Sequence, residues 1–127
     1  MTDSFFGDAI YSYSRANAIA DGSLVDVTEQ AKLMGFKVPV ALTSSVWQDC
    51  VLWTSGASQD QTGRLRDVLW MAFNGAKETD GNLCLFEVAR VPRGDLSGAP
   101  SSVQLKMLIG PGDDPRPVIT IMQPFED

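Results

Sequence analysis

The sequence predicts an α+β domain in which short N-terminal helices and one long amphipathic helix pack on a three-stranded, or slightly larger, antiparallel sheet. Three observations carry this expectation. From Asp60 to Lys77, Leu65, Val68, Leu69, Ala72, Phe73 and Ala76 recur at spacings of three and four residues, the period of an α-helix. After Asp80-Gly81-Asn82 the period falls to two, and three β-rich runs follow on connections too short for parallel crossovers. Ahead of the long helix, Gly22 and Gly35 each close a short helical segment.

Taken in order, Met1 to Asp8 reads as a loose terminus with Phe5 and Phe6 as pins to the body. Ile10 to Tyr13 suits an extended lead-in, and Ser14 is placed to cap a helix over Arg15–Asp21. Leu24 to Val27 returns as extended chain. Asp26 and Glu29 have capping-box spacing, with Thr28 as a competing cap, and they introduce a helix reaching Met34. Val38 to Leu42 is apolar and extended, because Pro39 disfavours helix in the residue before it. Thr43 caps a third helix whose stripe is Val46, Trp47, Cys50, Val51 and Thr54. Residues Ser55 to Ser58 form a loop. Beyond the long helix, Leu83–Val91, Val103–Ile109 and Val118–Met122 read as an antiparallel meander.

At 127 residues the chain is one domain, long enough to bury about two thirds of its unfolded surface. The opening residues hold two acids and no basic stretch, so no secretory signal is expected, and no apolar run reaches the roughly 20 residues of a membrane span. A cytoplasmic protein follows from both. Cys50 and Cys84 lack metal-site spacing and read as buried reduced thiols. The chain has no histidine, which removes the usual general base, the usual zinc ligand and any Ser-His or Cys-His pair. Net charge is −6 with lysine and arginine scattered, so direct nucleic-acid binding is not expected. An acidic surface of this kind suits a protein partner, with charge raising the association rate.

No specific catalytic motif stands out, and no catalytic residue, metal ligand or cofactor is assigned. Tyr11, Tyr13 and Arg15 place hydroxyls and a guanidinium at a strand–helix junction able to hold an anion. This opening is loosely similar to that of ADP-ribosyltransferases, for which Glu87 is the available strand-borne glutamate. Asp113 and Asp114 lie in a Gly-Pro-rich connection whose adjacent carboxylates invite a cation, although hairpin chemistry explains the composition. Trp47 and Trp70 fall on helix stripes and are expected in the core, whereas Trp53 ends its helix and is the tryptophan expected at the surface. Arg93-Gly94-Asp95 matches an integrin tripeptide and reads as chance. Tyr11, Tyr13, Arg15, Trp53, Asp113 and Asp114 are therefore the candidate partner-binding residues.

The opening I-Y-S-Y-S-R-A-N-A-I-A-D-G-S-L-V-D-V, Ile10 to Val27, and the closing G-P-G-D and P-V-I-T-I-M also carry a resemblance. The chain resembles small uncharacterised proteins borne mainly on bacterial plasmids and other mobile elements. The likeness spans nearly the whole sequence and brings no established activity. It implies a mobile-element setting, where small acidic proteins are often accessory or counter-defence factors. The function expected on these grounds is non-enzymatic: binding of a host protein complex, such as a restriction or CRISPR effector, with no membrane association. A small ADP-ribosyltransferase-like enzyme is the alternative.

Overall fold

Alternating burial along the chain builds a single sheet. A computed structural model of the protein describes residues 13–53, 60–92 and 99–126. Its elements are α1 (Arg15–Asp21), β1 (Leu24–Asp26), α2 (Thr28–Met34), β2 (Val40–Thr43), α3 (Ser44–Val46), α4 (Gln61–Lys77), β3 (Leu83–Arg90), β4 (Ser101–Pro111) and β5 (Pro117–Met122). The strand order is β1-β2-β5-β4-β3. All neighbours are antiparallel except β2 and β5, which run parallel with Ala41 opposite Thr120.

The expected three-stranded antiparallel sheet is thus corrected to a five-stranded mixed one. β3, β4 and β5 do form a meander, but β1 and β2 extend it beyond β5. The β2–β5 pair closes across most of the chain, with α3, α4 and two strands serving as its crossover. Local periodicity carries no trace of such a pairing. The picture of one long amphipathic helix supported by minor ones is also corrected. Among the described residues four helices flank the sheet, on both of its faces, and α4 is no clean amphipath. Its inner side carries the buried Arg64, while Trp70 and Met71 on its outer side are exposed.

Register divides the sheet into two faces. Leu42, Ile121, Met107 and Cys84 lie in one cross-strand row on the inner face, with Leu105 and Phe86 beside them. These pack with Val27, Ala31, Val46, Cys50, Val68, Leu69 and Ala72 from α2, α3 and α4 to form the core. On the outer face, Ala41, Thr120, Leu108 and Leu83 form one row, and Thr43, Met122, Lys106 and Leu85 follow the next. Among the described residues α1 is the helix that covers part of this face, its Arg15 donating to Thr120.

Local chemistry explains the helix ends. Ser14 caps α1, its hydroxyl accepting from Asn17 N at 2.9 Å, and Gly22 ends it at φ 87°. Gly35 ends α2 at φ 111°. The capping box expected at Asp26 and Glu29 does not form. Instead, Asp26 accepts from the Thr28 amide at 3.0 Å, and the Thr28 hydroxyl accepts from Val40 N at 3.1 Å. The start of α2 is thereby tied to β2. The third helix widens after Val46 into a π-turn over Trp47–Val51, with Leu52 N donating to Trp47 O at 2.8 Å. This places Cys50 and Val51 together in the core. Arg64 holds the turn, donating to Val51 O at 3.1 Å, to Asp49 O at 3.3 Å and, across to the end of β3, to Val91 O at 2.8 Å.

Candidate functional site

The outer face of the sheet, between α1 and the C-terminal turn, forms an open cleft of about 790 Å³. Tyr13, Arg15, Thr43, Asp113, Thr120 and Glu126 are among its lining residues. Three of the candidate residues, Tyr13, Arg15 and Asp113, therefore meet in one place although nearly a hundred positions separate the first two from the third.

Their geometry follows from α1. A helix start leaves free backbone N–H groups, and the Asp113 carboxylate takes two of them, from Arg15 N at 2.6 Å and Ala16 N at 3.0 Å. With the Ser14 cap, the first-turn amides are satisfied within the chain. The anion expected at this junction is thus the protein's own aspartate. The Arg15 side chain crosses to β5 and donates to Thr120 Oγ1 at 2.7 Å and Ile119 O at 2.8 Å. Burial pulls its pKa down, opposed by the charges of Asp26 and Asp113. At the rim the exposed Tyr13 hydroxyl donates to the Asp21 carboxylate and lies 3.2 Å from Ser23 Oγ. The bond to Asp21 raises the Tyr13 pKa and lowers that of Asp21.

Asp113 and Asp114 do not act as a pair. Asp114 turns to Arg116, with a 2.6 Å contact between carboxylate and guanidinium, and its pKa falls to about 2 through those hydrogen bonds. Among the described residues no three carboxylate or thiol groups converge as metal ligands. On the far side of the cleft Glu126 accepts from Thr43 Oγ1 at 2.8 Å and from Gln123 N at 2.7 Å, while Lys106 donates to the Glu126 carbonyl. The sequence offered no signal for this C-terminal clasp, because its partners are distant in the chain.

Two of the three tryptophan expectations are reversed. Trp53 is half-buried beneath Arg64, whose guanidinium lies 5.0 Å from its ring centroid, and its indole Nε1 is buried. Trp70, expected in the core, is 52% exposed, whereas Trp47 packs against the core as expected. Tyr11 and the Arg93-Gly94-Asp95 tripeptide lie outside the described residues. Both thiols are buried and free, and burial beside Asp49 pushes Cys50 up to about 12, which keeps it protonated and inert near neutrality.

Glu87 does not join Arg15. Thr120 is opposite Leu108, and Glu87 is opposite Gln104, all on the outer face. Two strand spacings across and four residues along put Glu87 about 16 Å from Thr120, where Arg15 is held. Its carboxylate instead accepts from Ser102 Oγ at 3.0 Å, farther still from the cleft. A shared substrate cannot bridge that gap by hydrogen bonds to both.

No helix among the described residues is long and apolar enough to cross a membrane. No curated protein and no solved structure matches the chain. The model of the family of unknown function DUF6573 matches residues 1–127, and the chain belongs to that family.

Proposed function

We propose that the protein is a non-enzymatic interaction protein of a plasmid or phage, an inhibitor that binds a host defence or nucleic-acid-processing complex of the restriction or CRISPR type. The observation that carries this reading is the state of the cleft's polar groups. Arg15, Asp113, Glu126 and the Tyr13 hydroxyl are each committed to a partner within the fold. Those partners fasten α1, β5 and the C-terminal turn to one another, so the fold itself accounts for these groups. What the outer face offers instead is apolar surface: Tyr13 is 62% exposed, Leu83 48%, Leu85 51% and Phe125 82%. Exposed aliphatic side chains on the sheet and aromatic ones at its rim, within an acidic surface, are the elements of a protein interface.

Affinity purification from bacteria carrying active restriction and CRISPR systems tests the reading. The wild-type chain is expected to retain one stoichiometric host complex that a Leu83→Lys, Leu85→Lys double variant of unchanged melting temperature does not. Equal retention by the variant, or no stoichiometric partner in any host carrying such systems, overturns it.

A further inference from the structure

β3 is the last strand of the sheet and, among the described residues, hydrogen-bonds through its backbone with β4 alone. At eight residues it is long for a free edge. Proteins usually blunt such edges with proline, charged side chains or a bulge, and the charges on β3 are Glu87 and Arg90, the latter paired with Asp49. β3 has no proline or lysine, and its pairing with β4 runs unbroken from Leu83–Leu108 to Arg90–Ser101. Apolar side chains flank the edge on both sides. Leu83 and Leu85 stand on the outer face, and Met71 of α4, 38% exposed, lies above the inner one. Met71 is one helical turn beyond Asp67, which shares a depression with Val88 and Arg90 of β3.

Charge identifies the occupant. Asp67 and Glu87 are exposed beside the strand, and Glu78 and Asp80 are exposed in the turn that leads into it. Among the described residues the cations nearby are engaged: Arg90 pairs with Asp49 at 3.1 Å, Lys106 donates to the Glu126 carbonyl, Arg64 donates to the Val51 and Val91 carbonyls, and Lys77 lies 5.3 Å from the Phe73 ring centroid. A second copy paired edge to edge would set acids against acids. We infer that the β3 edge receives an extended, basic segment of the partner protein as a sixth strand. Main-chain bonds along Leu83–Arg90 would supply affinity, lysine or arginine on the outer face opposite Glu87 would supply selectivity, and the alternate apolar side chains would meet Met71 on the inner face. This deepens the interaction role proposed above and rests on it.

The probe is an eight-residue peptide of alternating lysine and valine, compared with an alternating glutamate–valine peptide and a lysine–valine peptide with proline at its centre. The expected result is slowed exchange of alternate β3 amides, those pointing away from β4, with binding at least tenfold tighter than for either control. Glu87→Lys is expected to weaken binding about fivefold, as loss of one exposed attraction and gain of a repulsion would. Glu29→Lys, the same charge change on α2, should alter it less than twofold. Equal binding of the proline peptide, perturbation mapping away from β3, or a dimer protecting β3 without peptide would each overturn the inference. If the peptide fails while the Leu83→Lys, Leu85→Lys variant still loses its host complex, the edge is excluded and the interaction role stands.

Discussion

Replacing Asp113 with alanine removes the tie between the β4–β5 connection and the start of α1. Two amides, Arg15 N at 2.6 Å and Ala16 N at 3.0 Å, lose a charged acceptor. Hydrogen bonds to a charged group contribute about 1.5–3 kcal/mol when sheltered, but Asp113 is exposed and water can replace it. Loss of a helix cap costs about 1 kcal/mol, and the aspartate also opposes the positive end of a short helix. Together these give about 1–2 kcal/mol, or roughly 3–8 °C in Tm for a domain of this size. Asp113→Asn keeps an acceptor and loses the charge, so about half the effect is expected. Thermal unfolding by circular dichroism measures the total, and amide exchange at Arg15, Ala16 and Ala18 measures local release of α1. Protection there should fall about tenfold in the alanine variant, following the factor of ten per 1.4 kcal/mol. Tm within 1 °C of wild type for Asp113→Ala, with unchanged exchange in α1, would refute the reasoning.

Arg64→Met should damage the fold more than Asp113→Ala does. It strands the carbonyls of Val51, Asp49 and Val91, at about 1–3 kcal/mol for each buried acceptor left unmade. A loss of about 3–5 kcal/mol is expected, read as a fall of roughly 2 M in the urea midpoint followed by tryptophan fluorescence. Gly35→Ala combines a φ of 111° with a new Cβ 2.9 Å from the Phe73 ring, which itself packs edge-on against Phe36. A cost of about 1–3 kcal/mol is expected by the same urea titration, and a neutral result would contradict the geometry. In the acid range, Asp114 has a folded pKa of about 2, below its unfolded value. Its contribution is present above the unfolded pKa of about 3.9 and lost as pH falls through the folded one. A carboxyl titration by NMR should find the low midpoint in wild type and a higher one in Arg116→Gln, still below the ordinary value because the amide of residue 116 continues to donate to Asp114.

The helix ends were legible in the sequence because their causes are local. Ser14 lies three residues from the amide it caps, and Gly22 and Gly35 fall at positions where the backbone turns left-handed. Arg15–Asp21 and the three C-terminal strands follow from the same short-range periodicities. The candidate residues Tyr13, Arg15 and Asp113 were also visible singly, by residue type and by position beside a helix start. Their convergence was not, since it depends on β5 lying beside both β4 and β2.

Composition alone removes histidine chemistry, and spacing alone sets the helix caps and the alternation of β3, β4 and β5. Only the tertiary structure decided that β2 runs parallel to β5 and that the sheet has five strands. It alone sends the Arg15 guanidinium to Thr120 and buries Arg64 under the π-turn. Those outcomes are pairings between distant segments, fixed by burying two sheet faces at once and by satisfying carbonyls that no neighbour in sequence can reach.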